Sequence, residues 1–149
     1  MKLPSNVVDL LRSVFARYVR FGLVGVSGIV VDMGFLFLLA DHRMLALNLS
    51  LSKAISAEIA IINNFVWNEM WTFGDISAVQ NHWVSRLSRF AKFNLICLAG
   101  IGLSILLLNL QVRFVSLNVY LANLIAIVIV SFWNFGLNLK FGWRKSAVG

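Results

Sequence analysis

Residues 63–73, NNFVWNEMWTF, end a run of Ile, Ala and Leu with three asparagines, a glutamate and two tryptophans. A second stretch, WNFGLNLKFGW at 133–143, repeats the pattern. Asn64-Phe65-x-x-Asn68-x-x-Trp71-x-Phe73 matches Asn134-Phe135-x-x-Asn138-x-x-Phe141-x-Trp143 at a constant offset of 70. Each phrase closes a segment of about the 20 apolar residues that cross a bilayer.

Working outward, four such segments emerge, at about 20–40, 46–68, 93–112 and 118–140. The composition agrees: 60% of the 149 residues are hydrophobic, 13% are charged and the mean hydropathy is +0.85. A soluble domain is nearer half apolar and a quarter charged. No polar stretch approaches the roughly 50 residues of a separate soluble domain, so the chain reads as one membrane domain, 1–149. The first segment contains Asp32 and lacks a small-x-small cleavage site, unlike a secretion signal.

Lysines and arginines orient the segments. Lys2, Arg12, Arg17 and Arg20 precede the first; Arg86, Arg89 and Lys92 lie between the second and third; Lys140, Arg144 and Lys145 follow the fourth. Only Arg43 and Arg113 fall in the other two loops. Ten against two places both termini in the cytoplasm. The net charge of +7 therefore faces anionic headgroups, and nucleic acid is not an expected partner. Cys97 is the only cysteine, which excludes an internal disulfide. His42 and His82 stand apart in separate loops.

Val7, Leu11, Val14 and Tyr18 recur at helical spacing. They predict an amphipathic helix over 5–19, capped by Ser5 or Asn6, lying on the membrane surface or docking on a protein. Trp83, Leu87 and Phe90 mark 76–92 as a second interfacial segment.

The expected fold is all-α: four transmembrane helices arranged as two parallel-oriented two-helix repeats, plus the N-terminal interfacial helix. Arg20-Phe21 aligns with Arg89-Phe90 at an offset of 69. Two spans per half give both halves the same direction, with an axis along the membrane normal. The competing explanation is that any cytoplasmic span end collects Trp, Phe and Asn. On that view Trp67, Trp71, Phe73, Trp133, Phe141 and Trp143 form an aromatic belt. Asn64 and Asn68 share a helix face, as do Asn134 and Asn138; their amides suit either helix-to-helix bonding or a polar headgroup.

Asp32, Lys53 and Glu58 lie inside spans, where a charge costs about 2.5–3.5 kcal/mol on insertion scales. Asp32 and Lys53 fall at similar depths on antiparallel neighbours, which predicts an ion pair. Gly25 and Gly28 continue the Asp32 face, and Ser56, Ala57, Ala60 and Asn64 continue that of Lys53. Glu58 is turned about 140° from Lys53, towards a different surface. At these offsets Asp32 aligns with Ile101, Lys53 with Asn123 and Glu58 with Val128, confining the charges to the first half. A functional polar site and a structural lock both remain open.

Arg20-Phe21-x-x-Val24-Gly25-x-x-Gly28-x-x-x-Asp32, followed by the 64–73 phrase, resembles the GtrA-like family of small four-span membrane proteins. The likeness covers nearly the whole chain, departing at Glu69, where the family often has Arg. The resemblance implies translocation of a polyprenyl-phosphate-linked sugar from the cytoplasmic to the outer leaflet of the bacterial inner membrane, for cell-surface polysaccharide synthesis. Its implied partners are that lipid, membrane lipids and glycosyltransferases of the same pathway. In that role Lys53, released from Asp32, attracts the phosphate, and Arg20 or Arg89 receives it at the inner surface. Asn64 and Asn68 bond sugar hydroxyls while Trp67 or Trp71 stacks on the ring. Two alternatives stand: an anchor or assembly subunit for a glycosyltransferase, and a small proton-coupled cation exporter with Glu58 as the exchanging carboxylate. Four helices barely enclose such a pathway, so a homo-oligomer, most simply a dimer, is expected. No nucleophile–base pair, metal cluster or Gly-rich phosphate loop appears in the sequence; neither covalent chemistry nor a cofactor is expected.

Overall fold

The computed structural model of the protein describes residues 7–144. Every regular element among them is helical, and the chain divides into two compact units between Asp75 and Ile76. Lys2, Lys145 and the Ser5 or Asn6 cap lie outside the described residues.

In the first unit α1 (Val7–Ala40) packs against α2 (Leu49–Trp67), and a π-helical turn (Asn68–Thr72) follows α2. The expected boundary between an interfacial helix and the first span does not occur, because residues 7–40 form one uninterrupted helix. The stretch ARYVRFG at 16–22 offers neither a proline nor a cap to stop it. Its 34 residues span about 50 Å at 1.5 Å each, against about 30 Å of hydrocarbon. The helix is therefore longer than that layer by about 20 Å, roughly two-fifths of its length. Asn48 caps α2: its Oδ1 accepts from the Ser50 and Leu51 amides at 3.0 and 3.2 Å, a bond set worth about 1 kcal/mol.

Ser52, Ser56, Ala60 and Phe65 are the buried positions of α2, and the first three recur every four residues. Small side chains let two helices approach closely, which in lipid is the main source of packing energy. Gly28 is the extreme case, since a Cβ there would overlap the side-chain amide of Asn64. Gly25 does not share that contact; a Cβ on it would meet nothing within 4 Å.

A short helix, α3 (Gly74–Val79), leads into the second unit, where α4 (Trp83–Phe114) packs against α5 (Val119–Leu137) and a π-helical turn (Asn138–Gly142) follows. Residues 76–92 are thus not one interfacial segment, because α4 begins at Trp83 and continues unbroken. Asn118 caps α5 through the Tyr120 amide at 2.9 Å. Ala122, Ala126 and Phe135 are buried on α5, and a Cβ on Gly100 would collide with the Asn134 amide. Ala46 and Ser116, each two residues before its capping Asn, both take positive φ (49° and 55°).

The same contacts therefore recur 70 residues apart in α2 and α5 but 72 apart in the long helices, where Gly100 stands for Gly28. The sequence register of 69 is corrected accordingly. By contact, Phe93 plays the part of Phe21, and the same register of 72 sets Arg89 at the position of Arg17 and Lys92 at that of Arg20. Asp32 then corresponds to Ser104 and not to Ile101.

The repeated phrase is the π-helical turn. The Phe73 amide donates to the Asn68 carbonyl and the Trp143 amide to that of Asn138, both at 2.8 Å and across five residues. The wider turn folds the chain back, and Phe73 and Trp143 become fully buried. Phe73 meets Phe21 edge-on at 6.4 Å, and Trp143 meets Phe93 at 6.2 Å. Trp143 also donates its Nε1–H to Ser77 Oγ at 3.0 Å. These two aromatics are core anchors, a correction to their place in the belt. Trp67, Trp71, Trp133 and Phe141 stay exposed, as belt residues would.

Among the described residues, three helical stretches are long and apolar enough to cross a membrane: Val7–Ala40, Trp83–Phe114 and Val119–Gly142. At 19 residues, α2 is about 28 Å long, but Lys53, Glu58, Asn63 and Asn64 lower its apolar content.

Candidate functional site

The first unit holds polar side chains at two levels of its helix pair. At one level Lys53 Nζ donates to Asp32 Oδ2 at 2.5 Å, and the Ser56 hydroxyl donates to Asp32 Oδ1 at 2.7 Å. Both carboxylate oxygens are thus engaged by α2. Helical spacing makes this possible: Lys53 and Ser56, three apart, project to the same side. The Asp32 side chain is 23% exposed and that of Lys53 53%, so the carboxylate is held in the seam while the ammonium sits at its lip. Although α2 begins three residues later than expected, the pair forms, because the long lysine stem reaches the carboxylate.

The second level lies five residues towards the α1 N-terminus, about 7.5 Å away at helical rise. Here Asn63 Nδ2 donates to Ser27 Oγ at 3.2 Å, and Ser27 in turn donates to the Val24 carbonyl at 2.7 Å. Asn64 lies against Gly28. Beyond it a mainly apolar groove of about 540 Å³ is lined by Leu23, Val24, Ser27, Trp67, Met70 and Trp71. Ser27 supplies a polar atom at the head of this groove. The Arg20 guanidinium sits 5.7 Å from the ring centre of Trp71, one of the groove's lining residues, and 3.5 Å from the Trp71 carbonyl.

Arg17, one turn earlier, grips Asp75 with two parallel bonds at 2.9 and 3.1 Å. Its guanidinium also lies 5.6 Å from the Phe73 ring centre. A smaller cavity of about 380 Å³ opens beside it, bordered by Arg17, Arg20, Trp71, Thr72 and Asp75.

Among the residues singled out from the sequence, Asp32 and Lys53 come together, Trp67 and Trp71 line one groove, and Arg20 lies over the Trp71 ring. Glu58 is exposed away from the pair. Asn68 departs from Asn64: it is only 1% exposed, sits at the start of the π-helical turn, and its Oδ1 has no hydrogen-bond partner. Glu69 is buried as well. Arg89 belongs to the second unit, where it is 2% exposed and donates to the Gln80 carbonyl at 3.2 Å. Sequence reasoning missed Ser27, Asn63 and the Arg17–Asp75 pair. Ser27 and Asn63 are polar residues within apolar spans, a signal that was present; Arg17 and Asp75 are 58 positions apart and nothing local links them.

Two comparisons bear on this arrangement. The GtrA/DPMS transmembrane domain family matches residues 20–143, which takes in the polar levels, the groove and both π-helical turns. A dolichol-phosphate mannosyltransferase of Pyrococcus furiosus is 34% identical over 131 residues, covering 85% of this chain and 34% of the relative. The chain thus spans about a third of that relative's length. With its apolar helices and the family match over 20–143, this chain is a multi-pass membrane protein and belongs to the GtrA/DPMS transmembrane domain family.

Proposed function

We propose that the protein carries a polyprenyl-phosphate-linked sugar from the cytoplasmic to the outer leaflet of a bacterial inner membrane. The observation that carries this reading is the Asp32–Lys53–Ser56 cluster inside an apolar helix pair. A phosphate and a sugar crossing about 30 Å of hydrocarbon need polar stations, and a lipid tail needs them open to the bilayer. Arg20, the Ser27–Asn63 level and Lys53 are spaced along about 18 Å of α1, the 12 residues from Arg20 to Asp32. Lys53 then exchanges its carboxylate for the phosphate, Asn64 bonds sugar hydroxyls, and Trp67 and Trp71 pack on the sugar ring or the first isoprene units. Asn68 holds the π-helical turn that shapes the groove. Glu58, on a different face, serves a contact between copies. Arg89 is a second cationic receiver of phosphate.

This reading includes α2 as a span, giving four in all, and takes the shared caps, Gly–Asn contacts and π-helical turns as the mark of a duplication. Ten basic residues at one side and two at the other support cytoplasmic termini. The domain works as a dimer of the single 1–149 unit, since one chain has little room to surround a sugar headgroup. The relative's name joins a dolichol phosphate to a mannose, which supports the substrate class.

Reconstitution tests it. Purified protein in liposomes should move a short-chain polyprenyl-phosphate sugar between leaflets, and Lys53→Ala should abolish movement at equal incorporation. Wild-type protein that leaves the lipid in its original leaflet would sink the proposal.

A second reading has its own support. The chain matches only about a third of the mannosyltransferase, so the domain also fits an anchor or assembly subunit for a glycosyltransferase. Co-purification of such an enzyme without any lipid movement would favour it.

A further inference from the structure

Two cavities of opposite character share a wall in the first unit. The groove lined by Leu23, Val24 and Trp67 is mainly apolar, whereas the cavity of about 380 Å³ is bordered by Arg17, Arg20, Thr72 and Asp75. Met70 and Trp71 border both. Such a division matches an amphiphile, whose chain lies along the apolar side while its polar group reaches past Trp71 into the other.

The lining of the polar cavity says what that group is. Arg17 and Asp75 are joined by two parallel bonds at 2.9 and 3.1 Å. The pair neutralises itself, so this wall is not a row of bare cations; it is a planar array of donors and acceptors side by side. Trp71 adds a flat apolar surface with a cation, Arg20, 5.7 Å from its ring centre.

Thr72 narrows the chemistry further. It closes the π-helical turn, is only 2% exposed, and its Oγ1 has no hydrogen-bond partner. A hydroxyl shut away from water and left unpaired weakens a fold, and a ligand that supplies the partner recovers that loss. The hydroxyl both donates and accepts, as does each hydroxyl of a sugar ring. The residue 70 positions on, in the second π-helical turn, is Gly142, so this hydroxyl belongs to the first unit alone.

We propose that this cavity holds the sugar ring of the lipid-linked substrate. Thr72 and the Arg17–Asp75 pair bond its hydroxyls, Trp71 lies against the ring, and the lipid chain occupies the adjoining groove. Resting on the substrate class proposed above, the site adds where the headgroup is read before it passes to Asn64. It makes Thr72 a determinant of preference for a sugar-bearing lipid over the bare lipid phosphate. A site built to bond a hydroxyl rejects the analogue that lacks it, because its own buried polar groups are then left unpaired.

The test is native mass spectrometry of the full chain in a neutral detergent. Citronellyl phosphate and its glucosyl, mannosyl, galactosyl and N-acetylglucosaminyl phosphodiesters are titrated separately, beside the methyl glycosides of the same sugars. At least one phosphodiester should bind about tenfold tighter than citronellyl phosphate, and tighter than its own methyl glycoside, which gains nothing from the groove. Thr72→Val keeps the side-chain shape and removes a stranded hydroxyl, so folding should be preserved. It should reduce the sugar preference about threefold to tenfold and leave the affinity for citronellyl phosphate unchanged. Ser52→Ala, which removes another buried, unpartnered hydroxyl on α2, should leave the preference intact. The proposal is overturned if no sugar form is preferred, if a methyl glycoside binds as tightly, if Thr72→Val keeps the preference, or if Ser52→Ala loses it equally. Binding is read here and not movement. Protein that holds the sugar form but never transfers it between leaflets would defeat the transport reading and leave this site standing.

Discussion

Replacing Lys53 with Met keeps a long unbranched side chain on α2 but leaves the Asp32 carboxylate with the Ser56 hydroxyl alone, at 2.7 Å. Fully buried pairs lose about 3–5 kcal/mol when one partner is removed, whereas exposed pairs are worth about 0.2–1 kcal/mol. Asp32 is 23% exposed and Lys53 53%, so the lysine's share must be discounted towards the exposed limit. A loss of about 2 kcal/mol for Lys53→Met follows. Asp32→Asn should cost about 1–2 kcal/mol, since the amide keeps an acceptor for Ser56 but leaves the ammonium without its charge partner. In the double variant neither charge remains, and its cost should fall about 1–1.5 kcal/mol short of the sum. Reversible unfolding in mixed micelles, titrated with SDS and followed by tryptophan fluorescence, measures all three. Additivity within about 0.5 kcal/mol would mean that the pair contributes no coupling, and the lock would have to be abandoned.

The same assay separates two serines on one face. Ser56→Ala should cost about 1.5–3 kcal/mol because it removes a bond to a carboxylate. Ser52→Ala should be near neutral or stabilising, since the buried Ser52 Oγ has no hydrogen-bond partner; a loss above about 1 kcal/mol would contradict this. Gly28→Ala should destabilise by about 1–3 kcal/mol by driving a methyl into Asn64, while Gly25→Ala, with open space around it, should gain about 0.5–1 kcal/mol of helix propensity. Equal effects at the two glycines would show that α1 and α2 do not approach as described. Ser77→Ala should cost about 1 kcal/mol by stranding the buried Trp143 Nε1–H, visible as reduced stability with a shift in tryptophan emission.

Much of the candidate site could be read without coordinates because it depends on local rules. A charge in an apolar span must find a partner, and residue counting placed Asp32 and Lys53 near one depth. The groove lined by Trp67 and Trp71 was only half visible: aromatics near a span end are expected anyway, and nothing in their order announces a groove. Ser27, Asn63 and Asp75 acquire meaning only through partners distant in sequence.

The sequence by itself determined the membrane class, the helical pattern, the doubled phrase and the Asp32–Lys53 pair. Each follows from composition and helical periodicity, which act along the chain. Tertiary structure decided that residues 7–40 form one helix, that the two long helices correspond at 72 positions rather than 69, and that Phe73 and Trp143 are buried instead of lying in the belt. An aromatic at a headgroup and an aromatic in a core have the same composition. Only the five-residue hydrogen bonds of the π-helical turns, and the rings of Phe21 and Phe93 waiting opposite, distinguish them.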